Sequence, residues 1–490
     1  MAGAGETFEA DPRRWVALPV VLVATFMGLF DVFVVNVAAP DIQIDLHASS
    51  SDLQLVVGGY SFAYASFLVT GGRLGDRYSY RRLFLSGMAL FTAASIGCGL
   101  AGHPVELVVS RLVQGFAAAL MVPQALALIT ALFPPAERHR ALAWFGVTVG
   151  LGAIAGQVLG GALVQLDLFG WGWRTIFFVN APIGAVTIAL GTRLLPHTRS
   201  SARPQLDPLG VAAVTGAVAL ALVPLTLGRS EGWPWWLIAL LCLAVPAFVL
   251  ATRFETAVAR RGGQPVLDLS LFSARSFAAG VGVNMGVYIY FGSILLGLTL
   301  FLQLGLGLSA LDAGLSFAPL GVAFAASSLL TRGLIGRYGA RVVSAGLVVA
   351  VCALTSQLLY IHFAGISTSA WGLAPFFFLT GIGNGCVIPA LIGTSLTDVA
   401  PQKAGAAAGL LATGQQFAAA AGVALLSEIF FAVVGSRPSE HGYLRAIQLV
   451  IGLDVAVLAL CFAASLLLPR PRPRPVSAPV PAQEPAQEPA

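Results

Sequence analysis

The chain has 490 residues, 57% hydrophobic and only 10% charged, with a formal net charge of +5. A soluble domain carries about 25% charged residues and rarely grows this large as a single unit, so the composition excludes a soluble enzyme and points to a polytopic membrane protein. The net charge is too modest to suggest a nucleic-acid partner, and its distribution along the chain is more informative than its sum.

Apolar runs of about 20 residues, long enough to cross a bilayer, fall at 15–37, 53–72, 83–101, 105–128, 141–163, 174–194, 208–228, 233–252, 277–301, 312–331, 341–361, 370–395, 405–431 and 445–468. They predict an all-α protein with fourteen transmembrane helices. The first run is too long for a signal-peptide core and reads as a retained helix behind a polar segment, 1–14. The tail, 469–490, is proline-rich, repeats Pro-Ala-Gln-Glu and is expected to be disordered.

Orientation follows from the basic residues. If the loop after the second span is cytoplasmic, 22 of the 27 arginines and lysines lie inside and only Arg174, Arg229, Arg437 and Arg445 lie outside, leaving Arg111 alone within a span. This bias fits the positive-inside rule and places both termini in the cytoplasm. The five cysteines all fall in apolar runs without metal or disulfide spacing, and read as small buried hydrophobes.

Asp31 stands near the outer end of the first span, in Leu29-Phe30-Asp31-Val32, with Asn36 a little further on. An unpaired carboxylate facing lipid costs several kcal/mol, so Asp31 is expected to face the bundle interior or a wet cavity. Burial favours a neutral carboxyl and a nearby cation favours a charged one, and a group held between the two can take and release a proton.

The loop after the second span reads Gly71-Gly72-Arg73-Leu74-Gly75-Asp76-Arg77-Tyr78-Ser79-Tyr80-Arg81-Arg82. Gly72, Asp76, Arg77, Arg81 and Arg82 could form a charge-pair latch at the inner face, or simply a solvated, orienting loop. Arg111, followed by Gln114 and Gly115, is the candidate partner of Asp31. Each lies about six residues, roughly 9 Å, inside the outer face; the alternative for Arg111 is snorkelling to the interface.

In the fifth span, Gly152, Gly156, Gln157, Gly160 and Gly161 form a small-residue stripe that lets helix backbones approach closely. It reads as a bendable, tightly packed helix between two halves, or as ordinary close packing. Later spans add Asn284, Tyr288 and Asn384 as cavity candidates with Asp31, Asn36, Arg111 and Gln114, and Asp454 as a second buried carboxylate. Gln54, Gln303, Gln415, Gln416 and Glu428 read as helix–helix hydrogen-bonding residues or, for Glu428, as interfacial.

There is an internal repeat. Pro123, Pro135 and Gly156 recur at the same spacing as Pro389, Pro401 and Gly422, and 332–341 echoes 72–81. The eight-span offset implies six-helix halves at 15–194 and 277–468, with two extra helices, 208–252, between them. No phosphate-binding G-x-x-x-x-G-K-[ST], H-E-x-x-H, G-x-S-x-G or Cys/His cluster occurs, and Lys403 is the only lysine. No catalytic activity, cofactor or metal is therefore expected, and any work must draw on an ion gradient.

Together these features resemble the fourteen-helix drug:proton antiporters of the major facilitator superfamily, across residues 13–468. The resemblance rests on the stretch from Asp31 to Pro40, the loop at 72–82, Arg111 with Gln114-Gly115, and the fifth-span glycines. It also includes Gly172-Trp173-Arg174-Thr175-Ile176-Phe177-Phe178-Val179-Asn180-Ala181-Pro182-Ile183-Gly184, and Gly405 to Gly409 followed by Gln415-Gln416. It implies the major facilitator fold, with Asp31 and Arg111 in proton coupling and the glycine stripe as the antiporter motif. It also implies a cavity lined by spans 1, 4, 9 and 12.

Three positions depart from the family pattern. Ser79 replaces a glycine, Gln157 a proline and Gly336 an aspartate. The glutamine weakens the argument for a bent fifth helix.

The expectation is a monomeric plasma-membrane exporter of lipophilic cationic or aromatic compounds, driven by inward proton flow. Asp31, Arg111 and Asp454 would couple it to protons, and its partners would be a small lipophilic substrate, protons and the bilayer. The competing readings are a dedicated transporter of one metabolite, such as a self-made antibiotic or a siderophore, and a receptor or scaffold that moves nothing.

Overall fold

The computed structural model describes residues 12–196, 208–228, 231–261, 269–399, 404–435 and 438–468. The tail from 469 and nearly all of 1–14 thus lie outside the described residues, as do the side chains of Asp76, Arg138, Arg332 and Arg337. Among the described residues the chain is helical without strands, because a helix satisfies its own backbone where no water can.

The first half contains α1 (Arg14–Asp45), α2 (Ser50–Tyr78), α3 (Tyr80–Leu100), α4 (Pro104–Leu132), α5 (Pro135–Leu166) and the broken pair α6 (Thr175–Phe178) and α7 (Asn180–Leu194). Next come α8 (Pro208–Leu227) and α9 (Trp235–Arg260). The second half contains α10 (Arg275–Leu300), the broken pair α11 (Ala310–Ser316) and α12 (Ala318–Tyr338), α13 (Arg341–Ala364), α14 (Ala370–Ser395), α15 (Ala404–Val434) and α16 (Glu440–Ser465).

Among the described residues, eleven helical stretches are long and apolar enough to cross a membrane, or twelve with the bent α5 taken as one span. The fourteen expected from hydropathy are therefore met only in part. The helix over 53–72, α2, carries glycine, serine, tyrosine and glutamine where it meets other helices, which dilutes its hydropathy. The described apolar stretch of α8, Leu209–Pro224, is short.

The repeat seen in sequence is a repeat of packing. α1 lies on α5 as α10 lies on α15, α2 on α4 as α12 on α14, and α3 on α7 as α13 on α16. A Cβ on Gly115 would stand 2.2 Å from the Tyr60 carbonyl oxygen, and one on Gly381 2.1 Å from that of Leu320. Likewise Gly156 abuts the Phe30 carbonyl at 2.8 Å and Gly422 that of Ile289 at 2.1 Å. Even the helix starts match: Ser49 caps α2 and Ser309 caps α11, each accepting the amide of the aspartate three residues on at 3.1 Å.

The halves meet where α5 packs on α11 and α12 and where α2 packs on α15. The extra helix α8 covers that second seam, tied by the Thr215 hydroxyl donating to the Ser66 carbonyl at 3.0 Å, and α9 packs outside it. α9 presents Trp235, Val245 and Leu250 outward. Cys98 and Cys461 are buried as expected, but Cys242 and Cys352 are exposed, since the outer surface of a membrane bundle is itself apolar.

The starts of α1 and α5 are clamped together. Arg14 donates through Nε and Nη2 to both Glu137 carboxylate oxygens at 2.9 Å, and Trp15 Nε1 donates to Glu137 at 3.1 Å. The hydrogen bonds from Arg14 hold the Glu137 carboxyl below its usual value near 4.5. A depressed folded-state value means that the stabilisation is present at neutral pH and fades as pH falls through the acidic range. Glu137→Gln should therefore lower the melting temperature slightly at pH 7, and the gap to wild type should close towards about pH 4 in thermal scans.

Candidate functional site

Five polar side chains converge in the apolar interior of the first half. Asp31 comes from α1, Ser95 from α3, Arg111 and Gln114 from α4, and Asn180 from α7; none is more than 1% exposed. Spacing of three residues puts Arg111 and Gln114 on one helix face.

Arg111 Nη1 donates to Asp31 Oδ2 and, at 2.8 Å, to Gln114 Oε1, while its Nε donates to the Val56 carbonyl at 3.0 Å. Asp31 Oδ1 accepts from Gln114 Nε2 at 2.8 Å and from Asn180 Nδ2 at 3.3 Å. Ser95 Oγ accepts from the same two amides at 2.6 and 3.0 Å. The guanidinium lies 4.6 Å from the centre of the Tyr60 ring.

The matched depth of Asp31 and Arg111 thus becomes a paired contact, and snorkelling of Arg111 is excluded by its complete burial. Ser95 and Asn180 were not singled out from sequence. Asn180 carried a signal, as the lone amide in an otherwise apolar stretch.

The second half keeps the geometry and loses the charges. The paired glycine contacts align Asp31 with Tyr290 and Arg111 with Phe377, both buried. Asn384 Nδ2 donates to the Tyr290 hydroxyl at 3.1 Å. Asp454, 1% exposed, has both carboxylate oxygens within 2.7 Å of Ser293 Oγ, and no cation among the described residues pairs with it. Asn284 donates to the Leu411 carbonyl at 3.4 Å and accepts from Gln415 at 3.1 Å.

A cavity of about 170 Å³ lies between the halves. Phe33, Phe62, Phe291, Phe317 and Phe324 supply much of its wall. Of the residues expected to line it, Asn36 and Tyr288 do so, while Asp31, Arg111, Gln114, Asn284 and Asn384 lie behind it within the helix packing. α4 contributes no lining residue and α14 only Ile388, so the cavity departs from the expected four-helix lining. A buried charge is stable only when paired and hydrogen-bonded, and Asp31 finds that environment among α3, α4 and α7.

Where α2 meets α3, Arg81 donates to the Thr192 carbonyl, Arg77 sits 5.8 Å from the centre of the Tyr78 ring, and Arg82 is exposed. The Asp76 side chain lies outside the described residues. Close approach to α4 is made by Gly71 and Gly75 rather than Gly72. Added Cβ atoms would stand 1.9 Å from the Ala119 carbonyl oxygen and 2.0 Å from Gln124 Oε1, against 4.0 Å from Pro123 at Gly72.

The glycine stripe on α5 is divided between two partners. Gly152, Gly156 and Gly160 face α1, whereas a Cβ on Gly161 would meet the Ala310 carbonyl oxygen of the other half at 2.3 Å. α5 bends by 41° between Trp144–Gly152 and Ala155–Leu166. The bend therefore precedes Gln157 and needs no proline there.

Residues 21–423 match the Major Facilitator Superfamily. The chain is 40% identical over 426 residues to a probable actinorhodin transporter of Streptomyces coelicolor, covering 87% of this chain and 74% of that one. It is 34% identical over 467 residues to a puromycin resistance protein of Streptomyces alboniger, covering 94% and 90%. The fold is similar to that of a bacterial homolog of the human lysosomal transporter Spinster in an inward-facing, unoccupied conformation. There the TM-score is 0.65 at 18% identity, over 95% of this chain and all of the other.

Proposed function

Because the chain belongs to the major facilitator superfamily, we propose that it is a proton-coupled exporter of lipophilic small molecules. It acts in the plasma membrane by alternating access, as a monomer with fourteen spans and both termini in the cytoplasm. The names of its relatives, a probable actinorhodin transporter and a puromycin resistance protein, support export. Exposed Phe169, Trp171, Trp235, Phe363 and Trp371 cluster at the helix ends assigned to the outer face, as interfacial aromatics do.

The observation that carries the coupling is the fully buried Asp31–Arg111 pair with its amide partners. A proton arriving on Asp31 cancels the charge that Arg111, Gln114 and Asn180 grip. That loosens α1 from α4 and α7 and favours a different arrangement of the cavity wall, because Val32, Phe33 and Asn36 on α1 are both neighbours of Asp31 and lining residues. Release of the proton on the other side restores the grip. Asp454, beside Ser293 on the matching helix of the second half, is a second protonatable position. At the inner face, Asp76 and the arginines 77, 81 and 82 would latch the halves, with α5 as the flexible antiporter helix.

The test is efflux of ethidium and of quinizarin (1,4-dihydroxyanthraquinone) from cells expressing the full chain, with and without a proton uncoupler. Efflux that collapses with the uncoupler is expected, and efflux indifferent to it would refute proton coupling. A dedicated exporter is the second reading, favoured by the 40% identity to a probable transporter of one named compound. It predicts that neither probe moves while one natural product does.

A further inference from the structure

The cavity wall is apolar except for a few amides and hydroxyls. Among the described residues, no charged side chain lines it. Asn36 from α1, Gln54 from α2 and Gln157 from α5 all reach it, and each has side-chain atoms with no hydrogen-bond partner among the described residues. For Gln157, 1% exposed, both Oε1 and Nε2 are unpartnered; for Asn36, 5% exposed, it is Oδ1, and for Gln54 it is Oε1. Gln157 is held at a three-way junction, because its own carbonyl oxygen abuts Gly314 of α11 and its neighbour Gly156 abuts Phe30 and Phe33 of α1. At 1% exposure its side chain is packed on all sides, so its amide has little freedom to turn elsewhere.

Buried amides without partners are costly and uncommon. Here three helices each bring one to the wall of a single cavity lined with aromatic rings. An amide offers a donor and an acceptor at no net charge, so it suits carbonyl and hydroxyl groups. A cation entering this cavity would be desolvated with no counter-charge, and the faces of phenylalanine rings compensate only weakly.

We infer that Asn36, Gln54 and Gln157 form a hydrogen-bonding belt that selects uncharged, planar aromatic substrates bearing carbonyl or hydroxyl groups over lipophilic cations. This assignment rests on the export reading above and narrows its substrate class. It gives Gln157, which stands where the family pattern has proline, a role in recognition rather than in bending α5.

The test is equilibrium binding to the purified full chain in nanodiscs, with quinizarin as the uncharged probe and ethidium as the planar cation. Wild type should bind quinizarin at least about tenfold more tightly than ethidium. Gln157→Leu should weaken quinizarin by about tenfold and leave the unliganded melting temperature unchanged or raised, since it removes unpartnered polar atoms. A residue with a purely structural role would move both readouts down together. Gln157→Glu should gain ethidium affinity, a result that a misfolded variant cannot produce.

Equal quinizarin binding by wild type and Gln157→Leu would overturn the belt, as would a wild-type preference for ethidium. Uncoupler-sensitive efflux measured on the same preparation in liposomes separates the two readings. If efflux persists while Gln157→Leu binds like wild type, the belt fails and export stands. If binding depends on Gln157 and nothing is moved, the belt stands and export fails.

Discussion

Asp31→Asn is expected to give a folded membrane protein whose uncoupler-sensitive efflux falls at least tenfold. Asparagine keeps the shape of the side chain but cannot exchange a proton near neutral pH. It also turns one acceptor into a donor, opposite groups that already donate: Arg111 Nη1, Gln114 Nε2 and Asn180 Nδ2. Wild-type efflux that still collapses with uncoupler in this variant would sink the assignment.

Arg111→Met is the sharper structural test. It leaves the Asp31 carboxylate buried without its cation, and removing one partner of a buried pair costs about 3–5 kcal/mol. The double variant, Asp31→Asn with Arg111→Met, should recover most of that stability in thermal unfolding while remaining uncoupled. The shortfall from additivity would measure the pair. If the double variant is as unstable as Arg111→Met alone, the pair is not what stabilises this region.

Two glycine substitutions should separate folding from transport. In Gly422→Val the new side chain would drive into the Ile289 carbonyl, already 2.1 Å from an added Cβ, within the second half. The clash is with backbone and inside one packed unit, so overpacking of roughly 1–3 kcal/mol or more is expected. In Gly161→Val the clash is with the Ala310 carbonyl of the opposite half. Each half has its own apolar core, one around Phe84, Met88 and Phe91 and another around Tyr290, Phe301 and Phe377. Both should survive, while their approach along α5 and α11 does not. The expected outcome is a large loss of melting temperature for Gly422→Val, and a smaller loss with strongly reduced efflux for Gly161→Val. If the two variants lose stability and transport in the same proportion, the division of the stripe between α1 and α11 has no functional meaning.

Much of the site was legible in the chain. Asp31 and Arg111 stood out because ionisable residues in apolar spans are expensive, and their similar depth allowed a pairing that the structure shows. The fifth-span glycines stood out by spacing. Their partners did not, since spacing says that a backbone comes close without saying whose. Gly71 and Gly75 were obscured by Gly72, which shares their stretch of sequence but makes only an ordinary contact with Pro123. Of the belt amides, Asn36 was read as a cavity candidate, Gln54 as an interhelix hydrogen bonder and Gln157 as part of the fifth-span stripe that departs from a pattern; only the absence of a partner among the described residues joined them in one role.

By itself the sequence determined that this is a helical membrane protein, where its apolar helices run, and that two of its parts repeat. Those properties depend on hydrophobicity over about 20 residues and on the local balance of basic residues, and both can be summed along the chain. Which way each helix faces was decided by tertiary structure. Many of these helices are apolar all round, and such a helix gives little sign of which face meets lipid, which a neighbour and which a cavity. That is why Asp31 turned out to lie behind the cavity rather than on its wall. Its orientation is set by Arg111, Gln114 and Asn180, which reach it from helices distant in sequence, and a buried charge settles where its partners converge.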